Sequence, residues 1–156
     1  MRHMDLKIKP LPAAHLPAAL ALCREVFLEF EAPDYPPEGI AAFLDFLEPG
    51  QMRRMTASGI LSFWGAYCGK RLIGVGALRE ARHISLLFVR REMHRKGAGT
   101  ALMREMFACC AGAGETRVTV HAAPYGEPFY RALGFSPTAP EQCQDGITYI
   151  PMERKL

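Results

Sequence analysis

A chain of 156 residues, 49% apolar and 22% charged, has the length and composition of one globular domain, so a single domain over 1–156 is expected. Its 19 Lys and Arg against 16 Asp and Glu leave a net charge of +3, too small for a dedicated nucleic-acid or membrane-surface protein, and neither partner is expected. The cysteines (Cys23, Cys68, Cys109, Cys110, Cys143) are odd in number and show no CxxC spacing, and His3, His15, His83, His94 and His121 lack a second ligand at useful spacing. That pattern argues against a disulfide framework and a metal site, and for reduced thiols in the cytoplasm.

The N-terminal MRHMDLKIKP carries charge where a signal peptide places its apolar run, and the longest apolar stretch, 60–68, falls far short of the ~20 residues of a membrane helix. Leu6 and Ile8 alternate with lysines and predict a short strand ended by Pro10 and Pro12. Leu16, Leu20, Cys23, Phe27 and Phe30 recur at helical spacing. Three prolines make 31–39 a loop, after which Ile40, Phe43, Leu44 and Leu47 predict a second helix, stopped at Pro49 and Gly50. The apolar runs 60–68 and 71–78 flank a Gly69-Lys70 turn and predict a hairpin. The run 84–89 (ISLLFV) is apolar almost throughout, as a central strand covered on both faces would be. A helix through Ala101, Leu102, Met106 and Cys109 follows, ending near Gly112 and Gly114. Residues 118–122 predict a strand, 127–133 a short helix closed by Gly134, and the segments from Phe135 and from Ile147 to Met152 two further strands. The order β, α, α, β, β, β, α, β, α, β, β, with one crossover between Ile84 and Ala122, predicts a three-layer α/β sandwich around a partly parallel sheet.

The stretch VRREMHRKGAGT (89–100) joins the end of the buried strand to the start of a helix and holds Arg90, Arg91, Arg95 and Lys96 against Glu92 alone. A helix N-terminus already carries partial positive charge, so cations gathered there are unfavourable unless an anion binds. Gly97 and Gly99 fit the same purpose, because residues without a Cβ let backbone amides reach phosphate oxygens. A solvated basic turn is the competing reading. A Walker loop is absent. A dinucleotide fingerprint fails too, at Leu102 and again at RVTVHAA (117–123), where an acidic residue is required.

The string HRKGAG followed by TALM resembles the acyl-CoA pyrophosphate loop of the GNAT superfamily of acyltransferases, with His94 where that family prefers Gln or Arg. PFYRALGF (128–135) resembles the family's short helix, and Ala123 stands where it often has Asn. The resemblance is specific over 84–135. It implies a GNAT-type three-layer α/β/α sandwich with a mixed, partly parallel, splayed central sheet of about seven strands. It implies an N-acetyltransferase that moves an acetyl group from acetyl-CoA to a small-molecule or peptide amine within a ternary complex, without a metal. Pantetheine would insert between the strands at 84–89 and 118–122, paired by amides near Phe88 and Val89. The pyrophosphate would lie on His94, Arg95, Lys96, Gly97, Ala98, Gly99 and Thr100, with Phe129 beside the cofactor. Tyr130 occupies the position of the general acid that protonates the departing thiolate.

An alkylammonium, with a pKa near 10.4, must lose a proton before attack. His83, at the strand position where some relatives carry Glu, is a candidate base beside Glu80, Glu29 or His121, acting directly or through water. Phe27, Phe30, Tyr35 and Trp64 are candidates for the acceptor pocket, and Glu29, Glu31 and Asp34 would suit a cationic amine. Many members of the family are dimers, so the resemblance allows a homodimer. A noncatalytic acyl-CoA-binding module remains an alternative. An RNA-binding regulator is the weakest reading, because no aromatic interleaves with 90–96.

Overall fold

The computed structural model describes residues 5–156; His3 lies outside them. The alternating start of the chain forms β1 (Leu6–Pro10), and the helical periodicity after it forms α1 (Leu16–Phe30). A 3-10 turn (Ala32–Asp34) interrupts the proline-rich loop before α2 (Pro37–Phe46). The second helix ends before Pro49 and Gly50 as expected, but these residues also open a third helix that was not expected, α3 (Pro49–Ala57). The reason is local: proline suits the first helical position, and the Glu48 carboxylate caps the helix by accepting from the amides of Gly50 and Gln51.

Next come β2 (Leu61–Cys68), β3 (Arg71–Arg79), β4 (His83–Val89), α4 (Ala98–Gly112), β5 (Arg117–Ala122) and α5 (Glu127–Ala132). The C-terminal part holds β6 (Ser136–Pro137), β7 (Gln142–Gln144) and β8 (Ile147–Lys155). The main path through the sheet is β1-β2-β3-β4-β5-β8-β6, with β7 paired to β8 beside it. Only β4 and β5 run parallel, joined by the crossover through α4, and the remaining pairings are antiparallel.

Helices cover both faces. On one, Leu20, Leu22, Val26 and Phe27 of α1 and Met52 of α3 pack on Phe63, Val75, Ala77, Leu86 and Phe88. On the other, Leu102, Met103 and Met106 of α4 pack on Ile73, Leu78, Val118 and Val120. The architecture is the expected α/β sandwich with a mixed, partly parallel sheet. Among the described residues no helix is long and apolar enough to cross a membrane.

One irregularity positions the site. Ala77 pairs with Leu86 and Leu78 with Ile84, so Ser85 is an extra residue in β4, a β-bulge. Ile84 belongs to the core under α4, whereas Leu86 and Phe88 belong to the core under α1, so the strand changes faces at the bulge. Pairing with β5 is confined to His83 with Thr119 and Ile84 with Val120. Beyond the bulge the two parallel strands separate.

Candidate active site

The separation of β4 from β5 opens into a cavity of about 900 Å³. One wall is β4 from Ile84 to Val89, whose β5-facing backbone groups have no strand partner past Ile84. Val120, His121 and Ala123 form the facing wall, and Gly126, Phe129 and Tyr130 close it from the side of α5. Glu31, Tyr35 and Phe43 border the far end together with Gln144, Asp145, Ile147 and Tyr149 of the β7–β8 hairpin, while Phe30 lies against His94.

The loop before α4 borders one end of the cavity. Gly97 is the N-cap residue, with φ +85° and no capping side chain. The first backbone bond of the helix runs from the Ala101 amide to the Gly97 carbonyl at 2.9 Å, which leaves the amides of Ala98, Gly99 and Thr100 without intrahelical acceptors. Arg95 is also left-handed (φ 62°), an unfavourable conformation for a side chain with a Cβ. A Cβ on Gly99 would stand 3.3 Å from Phe129 Cζ, so the first turn of α4 and the short helix α5 meet at a residue that must stay small. These features fit a pyrophosphate.

Expected loop residues Phe88, Val89, His94, Arg95, Gly97, Ala98, Gly99, Thr100 and Phe129 line this cavity, whereas Lys96 does not. The loop is less cationic than its sequence implies. Arg90 Nη1 pairs with Glu25 at 3.2 Å while its Nε donates to the Leu72 carbonyl, and Arg91 pairs with Glu29 at 3.1 Å. Glu92 is engaged by Arg71 at 2.9 Å. Glu25 and Glu29 lie one turn apart on α1, a relation that only the docking of α1 beside β4 reveals. Among the described residues Arg95 and Lys96 are the loop cations left without an ion pair. His94 Nε2–H donates to the Val89 carbonyl at 2.7 Å and its ring packs on Phe30, so it braces the loop on the strand end.

Tyr130 is 8% exposed and lines the cavity between the edges of Phe129 and Phe135. Its hydroxyl has no hydrogen-bond partner among the described residues. Burial first, and the charge of Glu31 second, push its pKa up, so the phenol keeps its proton. Glu31 lines the same cavity, and no described residue forms an ion pair or a side-chain hydrogen bond with it. Burial, with Asp34 adding to it, raises the Glu31 carboxyl to about 7.

His83 is not a lining residue. Its Nδ1 lies 2.8 Å from Thr119 Oγ1 and its ring meets His121 edge-on at 4.8 Å. Burial, His121, Arg79 and Arg82 lower its pKa to about 4. His121 stands between it and the cavity, stacked on Tyr149 at 4.3 Å, with its own pKa lowered by burial. Glu29 is held by Arg91, and Glu80 lies within 4 Å of Arg79 and Arg82; both are outside the lining.

Of the expected acceptor-pocket residues, Tyr35 and Phe30 line the cavity. Phe27 is fully buried behind it, stacked 4.1 Å from Phe43, which does line it. Trp64 packs in the core shared with Met106 and Leu102, away from the cavity, so the pocket role expected for it is withdrawn. Sequence reasoning missed the lining role of Phe43, and it found β8 but neither β7 nor the hairpin's place at the cavity. The Asp145-Gly146 dipeptide was the available signal, because both residues take positive φ (54° and 78°) as a tight hairpin turn requires.

A mixed sheet splayed between its two parallel strands, with an uncapped helix N-terminus at the mouth of the gap, is the architecture of a recognised class of transferases. A sequence model described as an acetyltransferase (GNAT) domain matches residues 31–156, and the chain belongs to that family. A GCN5-related N-acetyltransferase from Rhodopseudomonas palustris has the same fold at 18% identity and a TM-score of 0.80, over 99% of this chain and 100% of that one. PaiA N-acetyltransferase from Thermoplasma acidophilum, solved in complex with coenzyme A, is similar at 22% identity and a TM-score of 0.80, over 98% and 100%. An aminoglycoside 6'-N-acetyltransferase, also complexed with coenzyme A, matches at 11% identity and a TM-score of 0.63, over 96% of both chains. A search of the curated proteins finds no match.

Proposed function

We propose that the cavity binds acetyl-CoA and transfers its acetyl group directly to an amine. The observation that carries this reading is that one cavity joins the free amides of α4 to the unpaired edge of β4 and to the unpartnered Tyr130 hydroxyl. The amides of Ala98, Gly99 and Thr100, with Arg95, hold the pyrophosphate; the β5-facing groups of β4 near Phe88 and Val89 bond the pantetheine and polarise the thioester carbonyl. The acceptor occupies the end bounded by Tyr35, Phe43 and the β7–β8 hairpin.

The amine nitrogen bonds to the acetyl carbon as the carbon–sulfur bond breaks, and the Tyr130 hydroxyl gives its proton to the departing thiolate. Burial holds the phenol protonated, so its proton is in place when the thiolate departs. His83 reaches this chemistry only through His121, so the acceptor's proton goes to a group that lines the cavity: His121 or Glu31. The five cysteines, all unpaired, fit a reducing, cytoplasmic setting.

The test is thiol release from acetyl-CoA with an amine acceptor, comparing the native chain with Tyr130→Phe. Loss of general-acid catalysis predicts that kcat falls by about 10²–10³ with the KM for acetyl-CoA little changed. Full activity of the variant would remove Tyr130 from the mechanism.

A further inference from the structure

The two ends of the cavity are electrically opposite. Arg95 is the only Lys or Arg among the described residues that line it, and it stands at the phosphate end. The acceptor end carries Glu31 and Asp145, with Asp34 close behind Glu31, and its walls include Tyr35, Phe43, Ile147 and Tyr149, with Gln144 beside them. A carboxylate that faces an apolar chamber without a counterion is costly unless a cation joins it, and aromatic faces add attraction for that cation. An acceptor bearing its own carboxylate would find no cation at this end and would meet two acids.

We infer that the acceptor is a cationic primary amine on an apolar, ring-bearing body without a carboxylate, and that Glu31 both binds its ammonium group and removes the proton that blocks attack. This rests on the acetyl-transfer reading above. The protons balance as follows. The ammonium gives one proton to the Glu31 carboxylate, which releases it to water. The free amine bonds to the acetyl carbon, the carbon–sulfur bond breaks, and Tyr130 protonates the thiolate. The phenolate then recovers a proton from the nitrogen, which becomes the amide.

The titratable groups around Glu31 support this assignment. Cys23, Asp34, Tyr35 and Tyr130 all interact with it electrostatically, and none is a cation. With its carboxyl raised to about 7, Glu31 is a stronger base than an ordinary carboxylate by some 2.5 pH units. His94 and His121 line the same cavity, but His94 is committed to the Val89 carbonyl, and burial lowers the pKa of His121, which makes it a weaker base than Glu31.

A matched set of acceptors tests the inference: 2-phenylethylamine, L-phenylalanine, which adds only a carboxylate, and L-phenylalaninamide, which neutralises it. Thiol release and product mass should show 2-phenylethylamine acetylated, phenylalanine slower by at least about 100-fold in kcat/KM, and the amide recovering most of that loss. Glu31→Gln should lower kcat/KM for 2-phenylethylamine by a similar factor and abolish the rise of rate through pH 7, while the unfolding midpoint still rises with acetyl-CoA. If acetyl-CoA does not raise the midpoint of the native chain, the acetyl-transfer reading itself fails. If it does, yet phenylalanine matches 2-phenylethylamine or none of the three is acetylated, the acceptor class is wrong. An unchanged pH profile in Glu31→Gln overturns the proton role.

Discussion

Glu31 shows how a residue's chemistry depends on where the fold leaves it. In sequence it is one of three acids near a proline-rich loop; in the structure it is a carboxylate of the cavity without an ion pair among the described residues, because α1 ends beside the gap between β4 and β5. Its neighbours Glu25 and Glu29 are engaged by Arg90 and Arg91, which spacing along one chain segment does not disclose. The basic loop and Tyr130 were legible, since both lie in short motifs whose geometry is local. The raised carboxyl also affects stability. Its folded pKa of about 7 exceeds the ordinary 4.5, so the folded state holds this proton more tightly than the unfolded chain does. The resulting stabilisation is complete below pH 4.5 and is lost as pH rises through 7, an upper bound of about 3 kcal/mol. Glu31→Gln removes this dependence. Its unfolding midpoint, relative to the native chain, should therefore climb between pH 5 and pH 8; a constant difference would mean that the carboxyl is not raised.

Among the elements, those with strong periodicity or a continuous apolar run matched expectation: α1, the β2–β3 hairpin, β4 and the crossover helix α4. Pro49 was misread because proline ends one helix and begins another equally well, and the Glu48 cap decides between them. The strand at Ile147 was expected, but its partner β7 was missed because it is three residues long and wholly exposed, with no apolar alternation to mark it. Yet the β7–β8 hairpin borders the end of the cavity proposed for the acceptor. Its tip is held where Tyr35 donates to the Thr148 carbonyl at 3.3 Å and where Gly146 meets the first turn of α2. A Cβ on Gly39 would fall 2.2 Å from the Gly146 carbonyl oxygen, a backbone atom that can yield only if the hairpin shifts. Gly39→Ala should therefore cost about 1–3 kcal/mol and raise the KM for the amine more than that for acetyl-CoA. Equal changes in both constants would detach the hairpin from acceptor binding.

At the scale of the whole molecule, one sheet defect organises the site. The bulge at Ser85 reverses the faces of β4, β5 departs after two paired residues, and the gap receives α4's free amides at one end and acidic, aromatic residues at the other. The layered α/β architecture was legible because a lone strand–helix–strand crossover leaves few topologies open. The bulge was not, because ISLLFV reads as an uninterrupted strand. Thermal unfolding with acetyl-CoA, CoA or ATP at matched concentration tests whether this gap binds acetyl-CoA. A ligand present at about 100 times its dissociation constant adds roughly 2.7 kcal/mol, or several degrees in midpoint for a chain of this size. The midpoint should rise by this amount with acetyl-CoA and CoA and little with ATP, which lacks the pantetheine arm; no rise with either CoA species would contradict acyl-CoA binding in the gap.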